Sequence, residues 1–196
     1  IKKKSAWGLV VLSFSIFGLV TSHTVIFLLF FPFFLLYLQI IIRITADSLK
    51  KIVWGLFLGI GLAAFQLMPI IFERHYLKLD QTFFNIYSSH FVNFFQLMRI
   101  PRAGINIGTP FQLGITSIIL IVTGFFIFLR RKNTNLAFFL LCALLGIFFT
   151  QMQSLWLWQH VFFLKYIVFP WRFFSVIALS VGFISVLAID RLKLKV

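Results

Sequence analysis

Long apolar stretches separated by short polar ones dominate the chain. A helix that crosses a bilayer core of about 30 Å needs about 20 predominantly apolar residues. Six stretches meet or approach that length: Ala6 to Val20, Thr24 to Ile42, Ile52 to Phe72, Phe111 to Leu129, Leu136 to Thr150 and Trp171 to Ile189. These runs lack the alternation of a transmembrane β-barrel, and only helices or closed barrels satisfy the backbone in lipid. The pattern predicts an all-α fold, a polytopic transmembrane helical bundle of about six spans.

The composition supports the same fold class. Apolar residues make up 61% of the 196 residues and charged residues 11%, whereas an ordinary soluble domain is about 25% charged. A soluble domain of this size has too small an interior to bury that much apolar surface. The lipid bilayer is therefore the expected partner. The single cysteine, Cys142, excludes a disulfide framework and a metal site built on clustered cysteines.

The basic residues carry a topology signal. A net charge of +14 is common in nucleic-acid-binding proteins, but here Lys and Arg lie in short clusters between apolar stretches, so no nucleic-acid partner is expected. With the start of the chain inside, 12 of the 18 basic residues are cytoplasmic: Lys2, Lys3, Lys4, Arg43, Lys50, Lys51, Arg130, Arg131, Lys132, Arg191, Lys193 and Lys195. The positive-inside rule then supports an inner-membrane protein of about six spans, with both ends of this segment inside. The other six basic residues are Arg74, Lys78, Arg99, Arg102, Lys165 and Arg172.

The first long extracytoplasmic segment spans residues 73–110. Within it, aromatic and apolar residues recur at steps of three or four: Phe84, Tyr87, Phe91, Phe94 or Phe95, and Met98. This spacing predicts an amphipathic helix in the membrane interface. Asp80 or Thr82 would cap the helix and Pro101 would end it.

The second extracytoplasmic segment spans residues 151–170 and includes Trp156, Trp158, Lys165 and Tyr166. Tryptophan and tyrosine concentrate near lipid headgroups, so a re-entrant or interfacial helix is expected. Otherwise the chain reads as one transmembrane domain over residues 1–196. It starts without a methionine, and we expect it to be a fragment of a longer membrane protein.

Charged residues near the outer face are the candidates for chemistry, because soluble-enzyme motifs are absent. Arg172 lies in Phe-Pro-Trp-Arg-Phe at the start of the last span, and a guanidinium there is suited to holding a phosphate. The alternative is that Arg172 only reaches up to lipid headgroups. Glu73 and Arg74 end the third span, and Glu73 is either a general base or the ion-pair partner of an arginine.

Three histidines are candidate polar contacts: His23 in a turn, His90 on the predicted amphipathic helix, and His160 among tryptophans. Position in a polar turn or at the interface is a sufficient explanation for each of them. No two histidines have the spacing of metal ligands, so no metal site and no cofactor are predicted within this chain.

Several short strings resemble one bacterial membrane family. They are Thr-Ser-His at residues 21–23, Leu-Met-Pro-Ile-Ile-Phe-Glu at 67–73, Phe-Gln-Leu-Gly at 111–114, and Phe-Pro-Trp-Arg-Phe at 169–173. In their sequence and their order along the chain, these strings resemble those of the family named 6-pyruvoyl-tetrahydropterin synthase-related. That family is similar to the GT-C superfamily of glycosyltransferases that use lipid-linked sugars.

The resemblance implies a GT-C-like fold and transfer of a sugar from a polyprenyl-phosphate donor in cell-envelope assembly. It places the catalytic carboxylate in an outer loop upstream of this chain, together with any divalent metal, so no catalytic residue is assigned here. Arg172, with Lys165 or Arg74, would neutralise the donor phosphate, and Glu73 would orient a partner. Two other functions remain open: a transporter or flippase of a lipid-linked or anionic solute, and a non-catalytic scaffold or inactive homologue.

Overall fold

A computed structural model of the chain describes residues 2–42, 45–73, 76, 86–98 and 112–192. In this described part every regular element is helical, which confirms the predicted all-α class. The chain divides into two compact units, Ile1–Phe84 and Asn85–Val196.

Among its described residues, the first unit contains four α-helices, with a π-helical turn, Leu38–Ile42, after the second. They are α1 (Lys2–Ser22), α2 (Thr24–Tyr37), α3 (Ala46–Leu62) and α4 (Ala64–Phe72). Thr45 begins α3, since its side chain accepts a hydrogen bond from the Ser48 N–H at 3.3 Å. This cap supplies a partner to one of the N–H groups that a helix start leaves unpaired.

A sharp bend of 71° separates α3 from α4 at Ala63. The residues around the bend are poor helix formers: Gly59 and Gly61 precede it, and Pro69 inside α4 has no N–H to donate. The third predicted apolar stretch is therefore helical on both sides of a break.

Helices α1 and α3 pack closely because glycines lie at their contact. A Cβ added at Gly59 would be 2.6 Å from the Ser13 carbonyl oxygen, and one at Gly55 would be 2.5 Å from Leu12 Cδ2. Gly55 and Gly59 form a Gly-x-x-x-Gly spacing, which lets helix backbones approach in membranes. The buried core beside this contact consists of Ile16, Val20 and Ala63.

The described part of the second unit contains six α-helices and three 3-10 turns, Ile86–Ser89, Met152–Ser154 and Pro170–Phe173. The helices are α5 (Phe94–Leu97), α6 (Ile115–Arg131), α7 (Thr134–Thr150), α8 (Leu155–His160), α9 (Phe162–Ile167) and α10 (Phe174–Leu192). The Asn133 side chain caps α7 by accepting from the Leu136 N–H at 3.2 Å. A bend of 86° separates Thr134–Thr150 from Met152–His160.

The core of the second unit lies between α6, α7 and α10. Its buried members are Ile121, Leu136, Leu140, Ala143, Ile177, Val181 and Ile184. Glycines again allow the close approach: a Cβ at Gly124 would be 2.6 Å from Ile184 Cγ2, and one at Gly146 would be 2.6 Å from Ile177 Cγ1. Large apolar side chains such as Phe125, Phe126 and Val186 are exposed on the outer faces of these helices.

Helices occupy all six predicted apolar stretches where the structure describes them, although the fourth begins at Ile115. By length and composition, two helices are able to cross a membrane, Thr24–Ile41 and Pro170–Ile189. The number rises to four if each bent pair is one span, and Ala6–Ser22 is a shorter apolar helix.

The predicted amphipathic helix is wrong over residues 86–98. A 3-10 turn, an irregular stretch and the short helix α5 replace it. The break follows from two contacts. The Val92 N–H donates to the Thr150 carbonyl at 2.9 Å, and Asn93 with Gln96 forms a capping box that starts a new helix. Segment 151–170, for which a re-entrant or interfacial helix was expected, contains three short helical pieces, Met152–Ser154, Leu155–His160 and Phe162–Ile167.

Some predicted features lie outside the described residues. They are the candidate caps Asp80 and Thr82, the helix end at Pro101, and the basic residues Arg43, Arg74, Lys78, Arg99, Arg102, Lys193 and Lys195. Phe84 of the predicted amphipathic helix and Phe111 of the Phe-Gln-Leu-Gly string also lie outside them.

The glycine contact between α1 and α3 yields a paired prediction. Gly59→Ala should lower the free energy of unfolding by about 1–3 kcal/mol, because its Cβ meets a backbone oxygen that only a helix shift moves away. Gly61→Ala, two residues further along α3, should cause no loss because a Cβ there meets nothing within 4 Å. Unfolding of the full chain in detergent, followed by circular dichroism, measures both variants. Equal losses would contradict the close packing.

Candidate functional site

A tight turn at Val168 presents the candidate site at the start of the last apolar helix. Val168 has φ 67° and ψ −48°, and the Phe169 N–H donates to the Ile167 carbonyl at 2.7 Å, which closes a γ-turn. A β-branched residue at positive φ costs on the order of 1–3 kcal/mol, so the surroundings must hold it in place. Ile167 and Pro170 provide this support, since both are fully buried.

The sequence explains why the chain resumes a helix directly after this turn. Phe169 precedes a proline and has the extended conformation that such residues favour, with φ −120° and ψ 118°. Pro170 then occupies the first helical position, where its missing N–H has no cost. Arg172 is thereby placed inside the first turn.

The Arg172 side chain folds back onto this turn. Its Nη1 donates to the Ile167 carbonyl at 2.5 Å, so this oxygen accepts two hydrogen bonds. The guanidinium carbon lies 5.1 Å from the centre of the Phe169 ring and 6.0 Å from that of Trp171. The two rings stack on each other with centroids 5.5 Å apart, so Arg172 has both hydrogen-bonding and cation–π support.

Arg172 has no counter-ion in the described part of the chain. None of the carboxylates described there pairs with it, and the remaining guanidinium N–H groups donate to none of the described residues. A guanidinium offers five N–H donors in a planar fork, and only Nη1 of Arg172 donates to a described residue. The half-buried cation therefore keeps donor capacity for an anion.

His90 contacts the same phenyl ring as Arg172. Its imidazole centre lies 5.1 Å from that of Phe169, with an angle of 63° between the planes. His90 Nδ1 lies 2.8 Å from the Ile86 carbonyl oxygen and 3.0 Å from Ser89 Oγ. The structure thus brings together two predicted candidates that are distant in sequence.

The buried ring of Trp158 determines where His90 lies. Trp158 has 0% exposure, and Tyr87 stacks on it with centroids 5.6 Å apart. Phe91 and Phe173 meet the same ring edge-on at 5.9 and 6.1 Å. Since Tyr87 and Phe91 flank His90 in sequence, and Phe173 follows Arg172, these contacts bring the two candidates toward each other.

Buried polar residues support this arrangement from the end of α7. Thr150, Gln151 and Ser154 are 0%, 7% and 0% exposed, and Ser154 Oγ donates to the Gln151 carbonyl at 2.7 Å. The Thr150 carbonyl accepts from the Val92 N–H, as noted above. The indole N–H of Trp158 is fully buried and has no hydrogen-bond partner among the described residues.

The remaining candidates do not contact Arg172 in the described structure. Lys165 is half-buried on α9, and His160 is exposed, with Nδ1 2.7 Å from the Trp156 carbonyl oxygen. Glu73 and His23 belong to the first unit, where Glu73 is exposed at the end of α4 and His23 is exposed just before α2. Arg74 lies outside the described residues.

The sequence did not predict the contacts of the Phe169 ring with His90 and Arg172, nor the glycines between α1 and α3. Phe169 was identified only as part of the Phe-Pro-Trp-Arg-Phe string, although its place before Pro170 predicts an extended, fixed backbone. Gly55 and Gly59 have a Gly-x-x-x-Gly spacing within an apolar stretch, and this spacing is a sequence signal for close helix packing.

Within the described ranges, no group of three or more His, Cys, Asp or Glu side chains is arranged to hold a metal ion. No family model, curated protein or solved structure matches the chain.

Proposed function

We propose that this chain is part of a GT-C-like membrane glycosyltransferase that uses a polyprenyl-phosphate-linked sugar in cell-envelope assembly. The short strings at residues 21–23, 67–73, 111–114 and 169–173 motivate the family. The bacterial cytoplasmic membrane is the proposed location. In this proposal the six apolar stretches are six spans, with both ends of the segment inside.

The observation that carries the proposal is that the charge of Arg172 has no counter-ion in the described part of the chain. In sugar transfer, the bond between the anomeric carbon and the phosphate oxygen breaks while an acceptor hydroxyl oxygen bonds to that carbon. The leaving polyprenyl phosphate gains negative charge. A guanidinium held in place beforehand stabilises this charge without reorganising. Arg172 meets that requirement, because Ile167 and Phe169 fix its position at the start of an apolar helix.

The other parts of such an enzyme are assigned only by the resemblance. A carboxylate upstream would activate the acceptor, and any divalent metal would be held by residues outside this chain. Lys165, half-buried on α9, and Arg74 would add positive charge near the phosphate. Glu73 would orient one of these partners.

A transporter or flippase of a lipid-linked or anionic solute is the second candidate. Two helix pairs are bent, by 71° at Ala63 and by 86° near Gln151. Interrupted helices are common at the substrate sites of secondary transporters, where helix ends and unwound backbone contact the solute. Movement of a sugar lipid across the bilayer without sugar transfer would favour this candidate.

The proposed topology predicts the location of four fusion points. Reporter domains fused after Lys51 and after Arg131 should be cytoplasmic, because these ends carry the basic clusters. Reporters after Asp80 and after Gln159 should be extracytoplasmic. Paired alkaline phosphatase and fluorescent-protein fusions in bacteria measure each location. A cytoplasmic signal at Gln159 would rule out the six-span arrangement.

Substitution of Arg172 tests the phosphate site. Arg172→Ala should weaken binding of farnesyl phosphate to the full-length protein in nanodiscs by about 10- to 100-fold, the loss expected for charged hydrogen bonds. Arg172→Lys should retain part of the affinity, because it keeps the charge but loses the planar fork and the ring contact. Equilibrium binding with a fluorescent competitor measures both variants.

The matched control for this test is Arg130→Ala, which removes an exposed arginine at the end of α6 and should leave binding unchanged. Wild-type affinity in Arg172→Ala would show that the phosphate proposal is wrong. Phosphatidic acid that competes equally with farnesyl phosphate would show that Arg172 binds ordinary lipid headgroups. Donor binding without transfer to any acceptor would fit a non-catalytic homologue.

A further inference from the structure

The hydrogen bonds of His90 determine which of its nitrogens is available. The Ile86 carbonyl oxygen, 2.8 Å from Nδ1, is only an acceptor, so Nδ1 carries the hydrogen and donates it. The Ser89 hydroxyl donates to the same carbonyl at 2.9 Å. In the neutral imidazole, Nε2 then carries the lone pair and acts as a hydrogen-bond acceptor. No described residue uses this nitrogen.

A shared ring keeps this acceptor close to the arginine without direct contact. Both the His90 ring and the Arg172 guanidinium carbon lie 5.1 Å from the centre of Phe169. Neither residue hydrogen-bonds to the other. The imidazole centre and the guanidinium carbon are therefore no more than twice that distance apart, a separation that a phosphate with an attached sugar can bridge. The site combines a cationic donor with the acceptor that the neutral imidazole provides. A ligand that matches both carries an anionic group and a hydroxyl group.

A phosphate alone would pair with the Arg172 guanidinium but not with His90 Nε2. The oxygens of a fully ionised phosphate are acceptors, and the Nε2 lone pair is also an acceptor, so the two do not pair. A sugar attached to the phosphate provides hydroxyl donors about one six-membered ring away from the anion. The acceptor therefore distinguishes a sugar phosphodiester from a bare polyprenyl phosphate.

We propose that His90 Nε2 accepts a hydrogen bond from a hydroxyl of the sugar whose phosphate binds Arg172, and so favours the loaded donor over the product lipid. This rests on the proposed function for the position of the phosphate only. His90 would be a specificity-determining residue, since its contact exists in the donor complex and disappears when the sugar leaves.

Two substitutions separate this role from a structural one. His90→Asn keeps an amide N–H at the place of Nδ1, so the bond to Ile86 is retained while the Nε2 acceptor is lost. His90→Gln extends an amide oxygen toward the place of Nε2 and should restore part of the acceptor. The probes are farnesyl phosphoglucose and farnesyl phosphate, bound to the full-length protein in nanodiscs.

We expect His90→Asn to weaken farnesyl phosphoglucose binding about 5- to 10-fold, the effect of one hydrogen bond, and to leave farnesyl phosphate binding unchanged. His90→Gln should recover part of the loss. The matched control is His160→Asn, because Nδ1 of His160 makes the same bond to a carbonyl four residues back. Since His160 is exposed and its ring does not contact Phe169, this variant should bind both probes as the wild type does.

The possible failures are distinguishable. If His90→Asn weakens both probes equally, or neither, while Arg172→Ala weakens both, the role of His90 is wrong and the phosphate site stands. If Arg172→Ala changes neither probe, or the wild type binds neither, both proposals are wrong. A loss in His160→Asn equal to that in His90→Asn would also overturn the assignment, because the effect would not be specific to the ring of Phe169.

Discussion

Trp158 has no exposed surface, and the contacts of its ring join three separate parts of the Asn85–Val196 unit. Tyr87 and Phe91 pack on it from the 86–98 segment, and Phe173 packs on it from the 3-10 turn before the last helix. Each large aromatic ring that is buried contributes strongly to stability, and ring pairs add about 0.5–1.5 kcal/mol beyond burial. The positions of His90 and Arg172 depend on this one cluster, because the residues beside them are its members.

The sequence predicted the helices well because a long continuous apolar stretch favours a helix, in which the backbone groups pair within the stretch itself. Apolar stretches such as Thr24 to Ile42 and Leu136 to Thr150 are helical as expected. It did not predict the bends at Ala63 and Gln151. Hydropathy is high on both sides of Ala63, and Gln151 was interpreted only as the residue that follows an apolar stretch. Gly61 and Pro69 were local signals for the first bend.

The error over residues 86–98 has a specific physical cause. Steps of three or four between aromatic residues predict a helix face, yet Tyr87 contacts Trp158 from a 3-10 turn and Phe91 from an irregular stretch. Spacing alone does not distinguish a helix from an irregular segment when both side chains pack on one buried ring. The hydrogen bond from the Val92 N–H to the Thr150 carbonyl pairs this backbone group outside any helix.

The candidate site was predictable in part. Arg172 was found from its type and its place beside Pro170, since both are local features of the sequence. Its proximity to His90 was not predictable, because the shared contact with Phe169 follows from tertiary packing around Trp158. Glu73, the other acidic candidate, belongs to the Ile1–Phe84 unit and is exposed there.

Photolabelling with a diazirine derivative of farnesyl phosphate tests most directly whether an isoprenyl phosphate binds at Arg172. The experiment uses the full-length protein in nanodiscs, with labelled peptides mapped by mass spectrometry. The account predicts labels on residues 86–98 and 162–175 that unlabelled farnesyl phosphate removes by competition. Labels spread over the exposed apolar faces of the helices, unaffected by the competitor, would contradict it.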